Sequence, residues 1–116
     1  MKLTLPVPPS SNRYWRHAGP RVNRSAEAVN YIGAVSLLLM KQKVKPIRGE
    51  VSIAVEWHRK AKRGDLDNIL KILFDALKDR AFGDDSAIRR IVAERFEDHH
   101  NPRMEVTIQP YEVSDG

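Results

Sequence analysis

The fold is decided by residues 50–77, EVSIAVEWHRKAKRGDLDNILKILFDAL. Apolar and polar residues alternate over 50–58, which predicts a strand with one buried face. Residues 59–64 are expected to form a basic loop. Apolar residues then recur at helical spacing, which predicts a helix from 66 to about 79. A strand, a basic loop and an amphipathic helix therefore form the centre of the predicted domain.

The remaining elements surround this centre. The same rules of periodicity and turn composition predict strands at 2–7, 87–96 and 104–108, a long loop at 8–24, a helix capped by Ser25 that runs to about 42, and a turn at 98–102. We therefore predict one α+β domain over residues 1–116. Its mixed sheet has the order strand-helix-strand-helix-strand-strand, with both helices on one face.

The composition fits a globular domain and excludes several kinds of site. Of 116 residues, 41% are hydrophobic and 30% are charged, and none is cysteine. Disulfide bonds and thiolate metal sites are therefore excluded. We expect a cytoplasmic protein without a secretion signal, a membrane-spanning segment or a small-molecule cofactor. The apolar run at 37–40 is too short for membrane insertion and is expected in the core.

The net charge of +5 is unevenly distributed along the chain. Residues 1–64 carry 13 Lys and Arg against 3 Asp and Glu, whereas residues 65–116 carry 7 against 12. The basic half could hold a polyanion while the acidic segment holds a metal ion. The alternative is that both sets are ordinary solvated surface charge.

Six of the fifteen acidic residues are aspartates within 65–85: Asp65, Asp67, Asp75, Asp79, Asp84 and Asp85. Clustered carboxylates repel each other, and a hard cation such as Mg²⁺ is their usual occupant. In a basic protein this pattern indicates phosphodiester chemistry on nucleic acid. The alternative is structural: an N-cap at Asp65, a first-turn acid at Asp67, and a ladder of ion pairs through Lys71 to Asp75.

The second helix has an apolar arc of about 200°, wider than the roughly 100° stripe of a one-sided surface helix. We therefore expect two buried fronts, one on the sheet and one against a second copy of the chain or under the loop at 8–24. Asp67 and Lys78 are about 16 Å apart along this helix. Asp85 can join Asp67 only if residues 79–85 fold back or if a two-fold partner supplies it.

Three segments resemble the RusA-type Holliday junction resolvases. They are GDLDNILK with FDAL at 64–77, FGDD at 82–85, and the opening PPSSNRYWRH at 8–17. One departure is Gly64, which follows a basic run that is often longer in that family. The resemblance implies a homodimeric, Mg²⁺-dependent endonuclease, frequently of prophage origin, that nicks four-way DNA junctions symmetrically.

The resemblance also implies roles for individual residues. Asp65, Asp67 and Asp85 match catalytic, metal-binding aspartates and Lys71 matches a catalytic lysine, with Asp75 and Asp84 in supporting roles. Mn²⁺ is expected to substitute for Mg²⁺. Contacts with branched DNA are expected from Asn12, Arg13, Tyr14, Arg16, His17, Lys62 and Arg63. The alternatives are a noncatalytic architectural module for branched DNA and a nuclease for flaps or forks.

Overall fold

The computed structural model describes residues 1–9, 15–18, 21–60 and 66–112, with only the backbone for 15–18, 21–24, 67 and 68. No described helix is long and apolar enough to cross a membrane. The elements in chain order are β1 Lys2–Leu5, β2 Trp15–Ala18, β3 Arg21–Arg24, α1 Ala26–Lys41, β4 Val51–Arg59, α2 Leu66–Leu77, a 3₁₀ turn Asp85–Ala87, β5 Ile88–Glu97 and β6 Arg103–Pro110.

Four strands form a mixed sheet in the order β1-β6-β4-β5. β6 runs antiparallel to both β1 and β4, while β5 runs parallel to β4. Parallel neighbours need a crossover connection, and α2 lies within the one that joins β4 to β5. The predicted α+β class and mixed sheet are confirmed.

Both helices cover one face of this sheet. Alternate residues of β4 enter the core, whereas Ala54 and Glu56 between them are exposed. The core also takes Tyr31, Val35 and Leu39 from α1 and six residues of α2. The opposite face of the sheet carries no described helix and is open.

The predicted loop at 8–24 is wrong, because it contains a hairpin of β2 and β3. The element order therefore gains two strands before α1. The helix that follows begins as expected, since the Ser25 hydroxyl accepts the Ala28 N–H at 3.2 Å. The core prediction for 37–40 is only partly right. Leu39 is buried, but Leu37 and Met40 are 52% and 72% exposed on the outer side of α1.

The helix α2 is buried on two fronts within a single chain. Ile69, Ile72, Leu73, Ala76 and Leu77 are all buried, and the helix packs against α1 as well as the sheet. The wide apolar arc was therefore interpreted correctly, but its second front is covered by α1.

Candidate active site

The start of α2 carries part of the predicted catalytic set. Asp67 lies in the first turn, and Lys71 follows one turn later with an exposed side chain. Asp75, a further turn along, is half-buried. Residues four apart share one face of a helix, so α2 aligns these three positions. Asp65 immediately precedes the helix in sequence and lies outside the described residues.

The other predicted acids lie beyond the opposite end of α2, after a tight turn. Asp79 adopts a left-handed conformation (φ 66°), and its N–H donates to the Gly83 carbonyl at 3.2 Å. Phe82 is fully buried, and its backbone bridges to Lys78 and Ile47. This turn closes locally and fixes the point from which Asp84 and Asp85 leave the helix.

Asp84 is held by its neighbours on both carboxylate oxygens. Lys78 Nζ lies 3.2 Å from Oδ1, and the Ser86 hydroxyl donates to Oδ2 at 3.1 Å. The hydrogen bond from Lys78, followed by those from the Asp85 N–H and Ser86, lowers the pKa of Asp84. The same bond and the charges of Asp84, Asp85 and Asp79 raise the pKa of Lys78. Asp85 itself is exposed.

Asp67, at the start of α2, and the pair Asp84 and Asp85 lie at opposite ends of the sheet within one chain. Ile88, just after the 3₁₀ turn that begins at Asp85, pairs with Val51 at the start of β4, whereas Glu97 pairs with Arg59 at its end. The helix α2 follows that end of β4 and spans 12 residues, or about 18 Å. Residues 79–85 do not fold back along α2, so Asp85 stays at the far end from Asp67.

Two of the seven residues predicted to contact DNA lie among the described residues. These are Arg16 and His17, which lie in β2 opposite Asn23 and Val22 of β3. The others lie outside the described residues: Asn12, Arg13, Tyr14, Lys62 and Arg63.

The prediction that Arg59 begins the basic loop is wrong. This residue is the last of β4 and is 9% exposed. Its Nη2 lies 3.2 Å from the Glu97 carboxylate, and its guanidinium lies 5.7 Å from the centre of the Trp57 ring. Arg59 therefore stabilises the end of the sheet.

A group of potential metal ligands that was not predicted from the sequence lies on the open face of the sheet. Ligand atoms of Glu56, His58 and Glu105 lie within 4.8 Å of one another. His58 Nε2 is 3.1 Å from Glu56 Oε1 and 3.5 Å from Glu105 Oε2, and its ring stacks on Phe96 at 5.0 Å. Glu56 and His58 are two residues apart in β4, so their side chains lie on the same face of the strand. Glu105 joins them only through the pairing of β4 with β6.

This group is chemically and spatially distinct from the aspartates. An imidazole with carboxylates suits a transition metal such as Zn²⁺ better than Mg²⁺. The carboxylate of Glu105 already has an ion-pair partner, since Arg103 Nε lies 3.4 Å from Glu105 Oε1. The group lies on the face of the sheet opposite α2, so it does not substitute for Asp67 and Asp85.

Comparison with known proteins identifies the class of enzyme. The family model described as Endodeoxyribonuclease RusA matches residues 6–109. Similar proteins include the crossover junction endodeoxyribonucleases RusA of Escherichia coli K12, Shigella sonnei Ss046 and Enterobacteria phage 82. Each is 39% identical over 87 residues, which are 73% of this chain and 72% of the relative.

These matches define the class of protein as an endodeoxyribonuclease. More specifically, the chain belongs to the endodeoxyribonuclease RusA family, and the resemblance predicted from its motifs is confirmed. The relative from a bacteriophage agrees with the expected prophage association.

Proposed function

We propose that this protein is a divalent-metal-dependent Holliday junction resolvase, which cuts four-way DNA junctions by paired, symmetric nicks. The observation that carries the proposal is the family match over residues 6–109, with relatives named crossover junction endodeoxyribonucleases. The alignment of Asp67 and Lys71 at the start of α2 supports the same chemistry. Since its substrate is DNA, the protein would act in the cytoplasm.

The proposed site uses carboxylates for a metal and a lysine for the phosphate. Asp65, Asp67 and Asp85 would hold Mg²⁺, with Mn²⁺ as a substitute, because hard cations prefer carboxylate oxygens. The bound ion would lower the pKa of the attacking water. Lys71, exposed on the helical face of Asp67, would place positive charge where negative charge builds in the transition state. Asp84, held by Lys78 and Ser86, would position the neighbouring Asp85.

The separation of the aspartates supports a homodimer with shared sites. One chain places Asp85 at the opposite end of the sheet from the start of α2. A two-fold partner in antiparallel orientation could supply its own Asp85 to Asp65 and Asp67. A four-way junction is itself nearly two-fold symmetric, so two equivalent sites suit two matched nicks.

The basic half of the chain would hold the junction arms through their phosphates. Residues 1–64 carry 13 of the 20 Lys and Arg residues. Phosphate contacts of this kind give an affinity that falls steeply with salt. The loop positions Arg13, Arg16, Lys62 and Arg63 remain the proposed contacts.

Nicking of synthetic DNA tests the reaction. The full chain is incubated with a four-way junction, a flap, a fork and a linear duplex in Mg²⁺, Mn²⁺ or EDTA. We expect metal-dependent paired nicks in the junction, which Asp67→Asn abolishes while binding remains. Binding without cleavage in either metal would instead support an architectural module. Faster cleavage of flaps or forks would support the other nuclease class.

Mixed dimers test the sharing of sites. In a heterodimer of Asp67→Asn and Asp85→Asn subunits, shared sites leave one site intact and one doubly altered. Sites built within single chains leave both damaged. We therefore expect the mixture to nick one strand of the junction although each homodimer is inactive. A mixture as inactive as its components, with heterodimers verified by mass spectrometry, would exclude sharing.

A further inference from the structure

The open face of the sheet carries a row of carboxylates. Glu105 of β6 lies opposite Glu56 of β4, and Glu94 of β5 lies opposite Glu56 on its other side. Like charges that lie directly opposite each other on neighbouring strands destabilise a sheet. Among the described residues, neither Glu56 nor Glu94 forms an ion pair with a lysine or an arginine. A cation held between these carboxylates would offset their repulsion.

His58 places a nitrogen ligand beside two of these carboxylates. Its ring stacks on Phe96, with 5.0 Å between ring centres, and its side chain is only 14% exposed. Its Nε2 lies 3.1 Å from Glu56 Oε1 and 3.5 Å from Glu105 Oε2. Because Zn–N and Zn–O bonds are about 2.0–2.2 Å long, two ligand atoms at a tetrahedral angle are about 3.4 Å apart. Both distances from Nε2 therefore suit ligands of a single zinc ion.

Glu105 is oriented by contacts on its other carboxylate oxygen. Arg103 Nε lies 3.4 Å from Oε1, and Arg103 Nη1 in turn lies 3.0 Å from Asp98 Oδ2. Partners that orient a ligating carboxylate in this way are typical of metal sites. The contact with Arg103 leaves Oε2 directed at His58. Since β4 and β6 are paired strands, the backbone beneath the group also holds the ligands in place.

We propose that Glu56, His58 and Glu105 bind one Zn²⁺ ion, which ties β4 to β6 on the open face of the sheet. They supply three ligands, and a water molecule or Glu94 completes a tetrahedral set. A depression of about 290 Å³, lined in part by the three glutamates, leaves room for this fourth ligand. On binding, the Nε2 lone pair goes to the ion, and any proton on Nε2 moves to Nδ1 or to solvent.

The competing interpretation is a hydrogen-bonded histidine without a metal ion. In that case the Nε2–H of His58 donates to Glu56 at 3.1 Å. This single bond serves one carboxylate well, and it leaves Glu105 opposite Glu56 with Arg103 on one oxygen only. Under this interpretation, Zn²⁺ neither binds the group nor changes the melting temperature. The two interpretations therefore predict different results when zinc is added.

Zinc titration of the full chain tests the site. Metal-free wild type, His58→Gln, Glu105→Gln and the matched control His100→Gln are titrated with ZnCl₂ by calorimetry in excess Mg²⁺, which occupies sites for hard cations. We expect one Zn²⁺ per chain, with the dissociation constant raised about tenfold or more by loss of either ligand. His100→Gln, in the turn between β5 and β6, should stay within about threefold of the wild type. A hundredfold excess of Zn²⁺ over its dissociation constant should raise the melting temperature of the wild type by about 5 °C or more, but not that of His58→Gln.

The outcomes separate the zinc site from the enzymatic proposal. Binding that survives Asp67→Asn and is weakened by both ligand variants supports the site, whether or not the protein nicks junctions. A folded wild type that does not bind Zn²⁺, binding equal to the wild type in His58→Gln, or binding that Asp67→Asn removes would overturn it. If circular dichroism shows that His58→Gln is unfolded, Glu56→Gln takes its place, because Glu56 is exposed and the same loss is expected. Junction nicking in Mg²⁺ without zinc binding would leave the proposed function standing.

Discussion

Replacing Phe82 with alanine tests how the turn that carries Asp84 and Asp85 is fixed. Phe82 is fully buried, and its backbone bridges to Lys78 and Ile47. A buried phenylalanine removes roughly 150–250 Å² from water, worth about 4–6 kcal/mol at about 25 cal/mol/Å². Phe→Ala changes in cores accordingly cost about 3–5 kcal/mol. That loss is a large share of the roughly 5–15 kcal/mol that stabilises a typical domain.

Urea denaturation at 25 °C, followed by circular dichroism, measures this loss. The matched control is Phe96→Ala, because Phe96 is 39% exposed and stacks only on His58 among the described rings. We expect the control to lose about 1.5 kcal/mol or less, since an aromatic pair contributes about 0.5–1.5 kcal/mol. Equal losses in the two variants, or a loss below about 1 kcal/mol for Phe82→Ala, would refute the anchoring role of Phe82.

Three further predictions concern charges. Lys78→Met removes the ammonium that lowers the pKa of Asp84, so that pKa should rise towards its ordinary value in an NMR titration; an unchanged value would contradict the ion pair. The Asn101 N–H and Arg103 lower the pKa of Asp98. The ionised Asp98 therefore stabilises the folded state above the ordinary carboxyl pKa, and this stabilisation is lost as the pH falls through the lowered pKa. Asp98→Asn should therefore lower the melting temperature at pH 7 but not at pH 2, and an equal loss at both would contradict this. Lys62→Ala with Arg63→Ala should reduce the slope of log affinity for a junction against log salt by about 2, whereas Lys41→Ala should leave the slope unchanged.

The central part of the fold was predictable because its periodicity is strong. Alternation along β4 and the wide apolar arc of α2 gave both elements to within two residues, and Ser25 gave the start of α1. The β2–β3 hairpin was missed because its polar strands lack an apolar alternation. Arg59 was placed in a loop because its partner, Glu97, is distant in sequence and is brought close only by the pairing of β4 with β5.

The candidate site was predictable as a set of residues but not as an arrangement. The aspartate motifs identify the family from the sequence alone, without knowledge of how the residues between them fold. Their separation depends on α2 running the length of the sheet and on the turn around Phe82 closing locally. The Glu56, His58 and Glu105 group likewise depends on strand register, which alternation within a single strand does not define.

A crystal of the dimer grown with Mn²⁺ tests the central claim most directly, because anomalous scattering locates the ion. The proposed function predicts an ion coordinated by Asp65 and Asp67 of one protomer and by Asp85 of its partner. Mn²⁺ found only beside Glu56, His58 and Glu105, or no ion shared by those three aspartates, would contradict it.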